Sequence, residues 1–458
     1  MNRFHPLTRS SPPSAKPGIA AEKKERNFRP CPLELFNNYI RAIAIKEGDR
    51  SMKFMKRARS APLAIAGTCL FMSASAAVAQ VAESPLKFDG AVRIRAEHLD
   101  WNPDRKGTLE FDTIRLGYTY DDGRFISSGR ERYYHYSTRQ TGADEGASIL
   151  MNEYLWAGLK FADKSELHVG QDLVPFGSGR YASHNFFESM AYYAGFEDTF
   201  ALGVKYSRKD GGLSSALGFF PSDGGHLLGA ADNTRVLDGY DSLRFSNHLM
   251  KTYGREERNT VVGRLAYELE LGGGKSEIGI SALTGELATT DSSLSSGRRN
   301  AQAIHYTGEF GNFGVKLETI RYRNSFSGNG SVDGNWWSAC NNDCVIIGSY
   351  GFTNRMAAKG NIDIVSLSYK IPGSIGPFSN FRVYNDWSQL RKSASGYDRS
   401  VQNVTGIEFG SGGWWIMLDY AQGKNQPYLS PVFGDALAAG GSSNTTGRRF
   451  NASIGYYF

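Results

Sequence analysis

The sequence predicts an all-β chain, a transmembrane antiparallel up-and-down β-barrel of about sixteen strands with short periplasmic turns and long extracellular loops. Three observations predict it. Segments of strict two-residue alternation recur from Leu86 to the C-terminus without a sustained helical period, and period two places successive side chains on opposite faces of a sheet. Tight connections alternate with long polar ones. An export signal precedes the first strand, and an aromatic strand ends the chain on Phe458.

The export signal comes first. Lys53, Lys56, Arg57 and Arg59 precede an apolar stretch from Ala61 to Met72, and Ala77-Val78-Ala79 follows before Gln80. Basic, apolar and small-x-small regions in that order make residues 52–79 a signal peptide, cleaved after Ala79. A spanning helix needs about 20 apolar residues, so the stretch is short for the alternative reading as a single anchor. Residues 1–51 are rich in Pro, Lys and Arg and lack periodicity. They read as a non-native extension ahead of a start at Met52 or Met55, with a disordered N-terminal segment as the alternative.

Residues 80–458 then form the barrel domain. In the first strand Phe88, Gly90, Val92, Ile94 and Ala96 share one face, and Lys87, Asp89, Arg93, Arg95 and Glu97 the other. A later strand sets Val261, Gly263, Leu265, Tyr267, Leu269 and Leu271 against Arg264, Glu268 and Glu270, and the last sets Phe450, Ala452, Ile454, Tyr456 and Phe458 against Arg449, Asn451 and Ser453. Turn-like connections lie at Asp121-Asp122-Gly123, Ala162-Asp163-Lys164, Lys209–Gly212, Gly272–Gly274, Gly311-Asn312, Pro372-Gly373 and Gly410–Gly413. The long connections are 139–148, 175–198, 222–258, 287–299, 325–359, 391–399 and 425–446. Turns at one end and loops at the other are what a membrane meander gives; a soluble sandwich shares the strands but not this asymmetry. Aromatics at segment ends (Trp101, Tyr118, Tyr120, Trp156, Phe161, Tyr206, Phe219, Trp414, Tyr420, Tyr456) fit girdles at the two membrane interfaces. Because every backbone polar group must be paired in lipid, the sheet has to close.

Charge and cysteine usage narrow the function classes. The whole chain carries 52 Lys+Arg and 46 Asp+Glu, but residues 80–458 hold 38 basic and 41 acidic residues, net −3. The chain's basicity therefore belongs to its first 79 residues and is no argument for nucleic acid. Of the four cysteines only Cys340 and Cys344 fall in the barrel domain, and in an oxidising compartment this pair reads as a local disulfide. No ligand spacing for a metal and no cofactor motif is present.

A barrel of this size leaves an aqueous interior, and the charged inward positions are affordable there but not against hydrocarbon. The expected function is a passive pore for small hydrophilic solutes or ions. The connection after the fifth strand is the candidate constriction: it follows His168-Val169-Gly170-Gln171 and carries Arg180, His184, Glu188, Glu197 and Asp198, expected to set the field in the aperture. A loop lying over the mouth with solvated charges is the alternative.

Val169-Gly170-Gln171, Pro175-Phe176-Gly177 and the strand Leu202-Gly203-Val204 resemble the phosphate-selective porin O and P family, and the terminal Ser453–Phe458 strand resembles the C-terminal signature of outer-membrane barrels. The resemblance implies a Gram-negative outer-membrane location, a homotrimer, recognition by the barrel-assembly machinery, contact with outer-membrane lipid and lipopolysaccharide, and anion-binding basic residues along the pore. Candidates are Arg93, Arg95, Arg115, Arg264, Arg321 and Arg382, with Arg130, Arg132 and Arg323 beside them. Acidic inward positions at Glu97, Glu268 and Glu270 interrupt a basic stripe, which leaves a sugar-selective or general porin open. An outer-membrane hydrolase using His184, Glu188 and Ser189 is a second class, but neither a nucleophile elbow nor a His-Glu-x-x-His pattern accompanies them. A structural or adhesive barrel is a third.

Overall fold

The computed structural model describes residues 84–101, 106–136, 147–223, 241–242, 244–246, 252–289, 292–328, 342–349, 352–431 and 434–458. The signal peptide, the N-terminal extension, Cys340 and most of the connection at 139–148 lie outside the described residues.

Sixteen strands close into one barrel. The first seven are β1 (Leu86–Leu99), β2 (Lys106–Asp121), β3 (Phe125–Tyr136), β4 (Ala147–Lys160), β5 (Glu166–Leu173), β6 (Phe200–Asp210) and β7 (Leu213–Asp223). Then come β8 (Glu256–Leu271), β9 (Gly274–Ala288), β10 (Gly297–Phe310), β11 (Phe313–Ser325) and β12 (Lys359–Ile371). The last four are β13 (Ser379–Lys392), β14 (Ser400–Ser411), β15 (Trp414–Lys424) and β16 (Thr446–Tyr457). Each pairs antiparallel with the next, and β16 returns to β1 from Ala91↔Tyr457 to Leu99↔Arg449. The seam ends on the terminal residue: the Phe458 N–H donates to the Gly90 carbonyl at 3.1 Å, and Gly90 N–H donates back at 2.9 Å.

Turn chemistry fixes one end of the barrel. Between β2 and β3 the Asp122 carboxylate accepts the backbone N–H groups of Arg124 and Phe125 at 2.9 and 2.7 Å, and these donors hold it below the usual carboxylate range. The β12–β13 turn is longer than Pro372-Gly373 alone and contains the Ile375↔Phe378 bridge. The long connections gather at the other end. One of them carries the hairpin Cys344–Ser349 with Phe352–Ala357, whose Val345, Ile347 and Met356 join the buried cluster around Ile320. Cys344 is disulfide-bonded.

The two faces of the sheet differ as period two requires. Phe88, Leu217, Ile278, Ile280 and Ile304 stand exposed on the outside, a display a soluble protein does not tolerate but a bilayer requires. With its apolar outer band this is the fold of bacterial outer-membrane barrels, and that membrane is where it resides. Trp156 departs from the girdle reading: it stacks on the buried His168 ring with centroids 3.7 Å apart, on the inner face. The inner face is also not polar throughout. Ile320, Tyr322, Ile362, Ile364 and Leu390 point inward, buried beneath the connection between β5 and β6.

Candidate functional site

That connection, residues 174–199, is closed at its base by the Val174 N–H donating to the Thr199 carbonyl at 2.9 Å. Its Phe176, Met190, Tyr193 and Phe196 pack on the apolar inner stripe, each burial contributing roughly 1.5–3 kcal/mol. Wall side chains then satisfy its backbone, which has no sheet partner of its own. Gly177 N–H donates to Ser281 Oγ at 2.8 Å, Ser178 N–H to Glu318 at 3.3 Å with its hydroxyl donating to the same carboxylate at 2.6 Å, and Met190 N–H to Ser388 Oγ at 3.1 Å. Lys316 Nζ donates to the carbonyls of Tyr181 and Ser183 at 3.1 and 3.2 Å. Gly177 sits at φ 59°, a conformation that favours glycine, and a Cβ there would crowd the Glu318 carboxylate.

Two carboxylates hold the tip. Asp386 accepts the His184 and Asn185 backbone N–H groups at 2.8 and 3.0 Å, the Asn185 side-chain amide at 2.9 Å, and the Ser366 hydroxyl. Asp419 accepts the Phe186 N–H at 3.2 Å and the Tyr384 hydroxyl at 2.5 Å. The chain inside the loop is strained where it reverses: Glu188 and Asp198 adopt φ 56° and 50°, costing of order 1 kcal/mol or more each.

Clamped there, the tip faces an arginine wall across a cavity of about 420 Å³. Arg93 and Arg95 come from β1, Arg115 from β2, Arg132 from β3 and Arg449 from β16, while Arg180, Lys316 and Arg382 line the loop side. Among the described residues three carboxylates, Glu188, Asp198 and Glu408, share that lining. The others that pair with the arginines sit behind them. Asp112, fully buried, takes Arg93 Nε at 2.5 Å and Arg95 at 3.0 Å, Glu97 takes Arg449 at 2.5 Å, and Glu153 takes Arg180. Burying a guanidinium without such a partner costs several kcal/mol, so the hidden carboxylates make a cationic surface affordable. Phe186 lies under Arg95 and Arg93 at 4.9 and 5.6 Å, and Phe187 under Arg449 at 5.0 Å, contacts that steady the guanidiniums.

A second cavity of about 960 Å³ opens at the turn end, with Glu268, Glu270, Glu277 and Glu309 facing Lys275 and Lys370. The two cavities share His184, Lys316 and Arg382.

The structure places the sequence-derived candidates unevenly. Arg93, Arg115 and Arg382 face the cavity, as do Arg180, His184, Glu188 and Asp198, whereas Arg95 is almost fully buried against Phe186 at its edge. Glu197 does not: it is buried inside the loop, accepting the Ala182 N–H at 2.7 Å and the Ser189 hydroxyl at 2.5 Å. Desolvation pushes its carboxyl up to about 7. It staples the loop and sets no field in the aperture. Arg264 faces inward but is spent on the Gly177 carbonyl at 2.9 Å and Glu277 at 2.6 Å. Arg321 is a correction. Neighbours Lys316, Glu318, Ile320 and Tyr322 occupy the inner face of β11, so Arg321 and Arg323 stand on the exposed outer one. Glu97 is no interruption of the basic wall, because it lies behind it. His184, Glu188 and Ser189 form no triad: Ser189 donates to Glu197, and His184 Nδ1 lies 3.0 Å from Asp386. Arg449 and Lys316 were missed. Arg449 was visible as the polar partner in an alternating last strand, whereas nothing local marks Lys316.

No described protein family matches the chain, and no curated protein is similar to it in sequence. Solved structures share its architecture. The anion-selective porin from Comamonas acidovorans is 13% identical, with 82% of this chain and 100% of that chain covered at a TM-score of 0.50. The outer membrane channel DcaP of Acinetobacter baumannii is 12% identical, with 81% and 97% covered at 0.50. At such identities the likeness is one of fold, and the fold is that of an outer-membrane porin barrel.

Proposed function

We propose that the chain is a passive porin whose aperture favours small hydrophilic anions. The observation that carries this reading is the arginine wall with Asp112, Glu97 and Glu153 behind it, because on the surface a solute meets the cations outnumber Glu188, Asp198 and Glu408. Continuity through Lys316 and Arg382 into the turn-side vestibule supports passage rather than storage. Phosphate is one anion such forked donors suit, in keeping with the resemblance to phosphate-selective porins, and the anion selectivity that names the Comamonas acidovorans porin points the same way. Three further assignments belong to the reading: a homotrimer, removal of residues 52–79 on export, and pairing of Cys340 with Cys344.

The test is single-channel recording of residues 80–458 in planar bilayers under a salt gradient. Stepwise openings with an anion-favouring reversal potential, reduced by phosphate, are expected. Unselective openings would make it a general or sugar porin. Folded protein without conductance would overturn the pore reading.

A further inference from the structure

The outer wall carries a charge pattern that the pore does not use. On the outside of β12 the residues rising from the turn end are Ile371, Tyr369, Leu367 and Val365, then Asp363, Asn361 and Lys359. On β13 the series is Phe381 and Val383, then Asn385, Trp387, Gln389 and Arg391. Cross-strand register sets Arg321, Asn361 and Arg391 in one row and Arg323 with Lys359 in the next. A strand tilted by about 40° gains ~2.5 Å of height per residue. The Arg321 row, ten residues above Ile371 and Phe381, therefore stands ~25 Å up, where the apolar band of such barrels ends.

Four cations here surround one carboxylate. Asp363 accepts Arg391 at 2.9 Å, Thr319 at 3.0 Å and Gln389 at 2.9 Å. Among the described residues Arg321, Arg323 and Lys359 have no carboxylate partner, and all three are exposed. Cations left unpaired at a membrane boundary need an anionic partner there, and the extracellular leaflet of an outer membrane supplies phosphorylated glycolipid at that height. A guanidinium row matches phosphate by forked hydrogen bonding.

We propose that Arg321, Arg323, Lys359 and Arg391 form a docking site for the phosphate groups of lipopolysaccharide on the outside of β11–β13. The site is independent of what the pore conducts.

The protein, expressed to the outer membrane and extracted in mild detergent, is weighed by native mass spectrometry beside the triple variant R321S/R323S/K359S. Removing a cation near an anionic lipid surface weakens binding about five-fold, so at least a ten-fold fall in retained lipopolysaccharide is expected. The charge-matched variant R124S/K164S/R208S at the turn end should retain it. Heat-modifiable electrophoretic mobility reports that each barrel is folded, and the single variant R321S serves if the triple one is not. Equal retention by R321S/R323S/K359S and the parent, or retention of phosphatidylglycerol or inorganic phosphate in place of lipopolysaccharide, would overturn the proposal.

Discussion

On β1–β3 and β16 the arginines that line the cavity have carboxylates behind them; on β11, β13 and β15 the carboxylates Glu318, Asp386 and Asp419 are instead capped by the inserted loop, beside the cations Lys316 and Arg382. Asp112 and Asp386 are both almost fully buried, yet one neutralises guanidiniums and the other collects N–H donors from Asn185 and His184. The difference teaches that burial alone does not decide a carboxylate's use. What decides it is whether a side-chain cation or an unpartnered backbone lies opposite. The loop turns the second wall into scaffold and leaves the first as the surface a solute meets.

Breaking the scaffold wall should have the largest effect. Asp386→Ala strands several buried donors at once, each costing about 1–3 kcal/mol when unsatisfied. The loop tip is expected to detach: protease sensitivity between 180 and 190 rises, and conductance steps become larger and noisier. A variant with parental protease resistance and conductance would mean that the apolar packing of Phe176, Met190 and Phe196 alone holds the loop.

The arginine wall comes next. A unit charge a few ångströms from a solute in water is worth ~1 kcal/mol, so the double variant R115S/R132S should lower the anion-to-cation permeability ratio about thirty-fold, read from the reversal potential. Asp112 keeps Arg93 and Arg95 as partners in this variant, so the buried carboxylate is not left without a cation. An unchanged ratio would shift selectivity to Lys316 and Arg382.

How much of this was legible in the sequence follows from the same contrast. The strands and their closure were written in period two, as in Phe450–Phe458 against Arg449–Ser453, because lipid outside and water inside impose opposite polarity on alternate residues. The loop's docking surface broke that rule. Ile362 and Ile364 face inward while Val365 and Leu367 face out, so a run that looks apolar on both faces is the local trace of a buried inner stripe, which a lumen polar throughout does not predict. Arg321 fails for the opposite reason. A strand that ends above the membrane carries polar residues on both faces, and the sign of a residue no longer tells inside from outside.

A smaller effect concerns pH. Burial raises the Glu197 carboxyl to about 7, above its ordinary value, so the neutral form favours the docked loop. That contribution is fully present below the ordinary glutamate range and is lost as pH rises through about 7. Loop protection and conductance noise should therefore favour docking at about pH 5 over about pH 9, and Glu197→Gln should flatten the difference. A difference that persists in Glu197→Gln would assign it to the buried wall carboxylates Glu318 and Asp419, which accept donors from the loop.

The smallest effect is the sharpest control on the geometry. Arg115 and Arg321 were equivalent candidates by sequence, both basic residues within alternating strands. Arg115 lines the cavity against the Tyr457 ring at 5.5 Å, whereas Arg321 lies on the outer face with Thr319 and Arg323. Arg321→Ser should leave the permeability ratio unchanged and alter stability by no more than ~0.5 kcal/mol, while Arg115→Ser alone should move the reversal potential towards zero. Because the wall of the barrel and its low-dielectric surroundings separate Arg321 from the lumen, a shift comparable to that of Arg115→Ser would require β11 to sit in the opposite register. That would also turn Lys316 and Glu318 to the lipid, where unpaired charge is costly, and release the loop they hold.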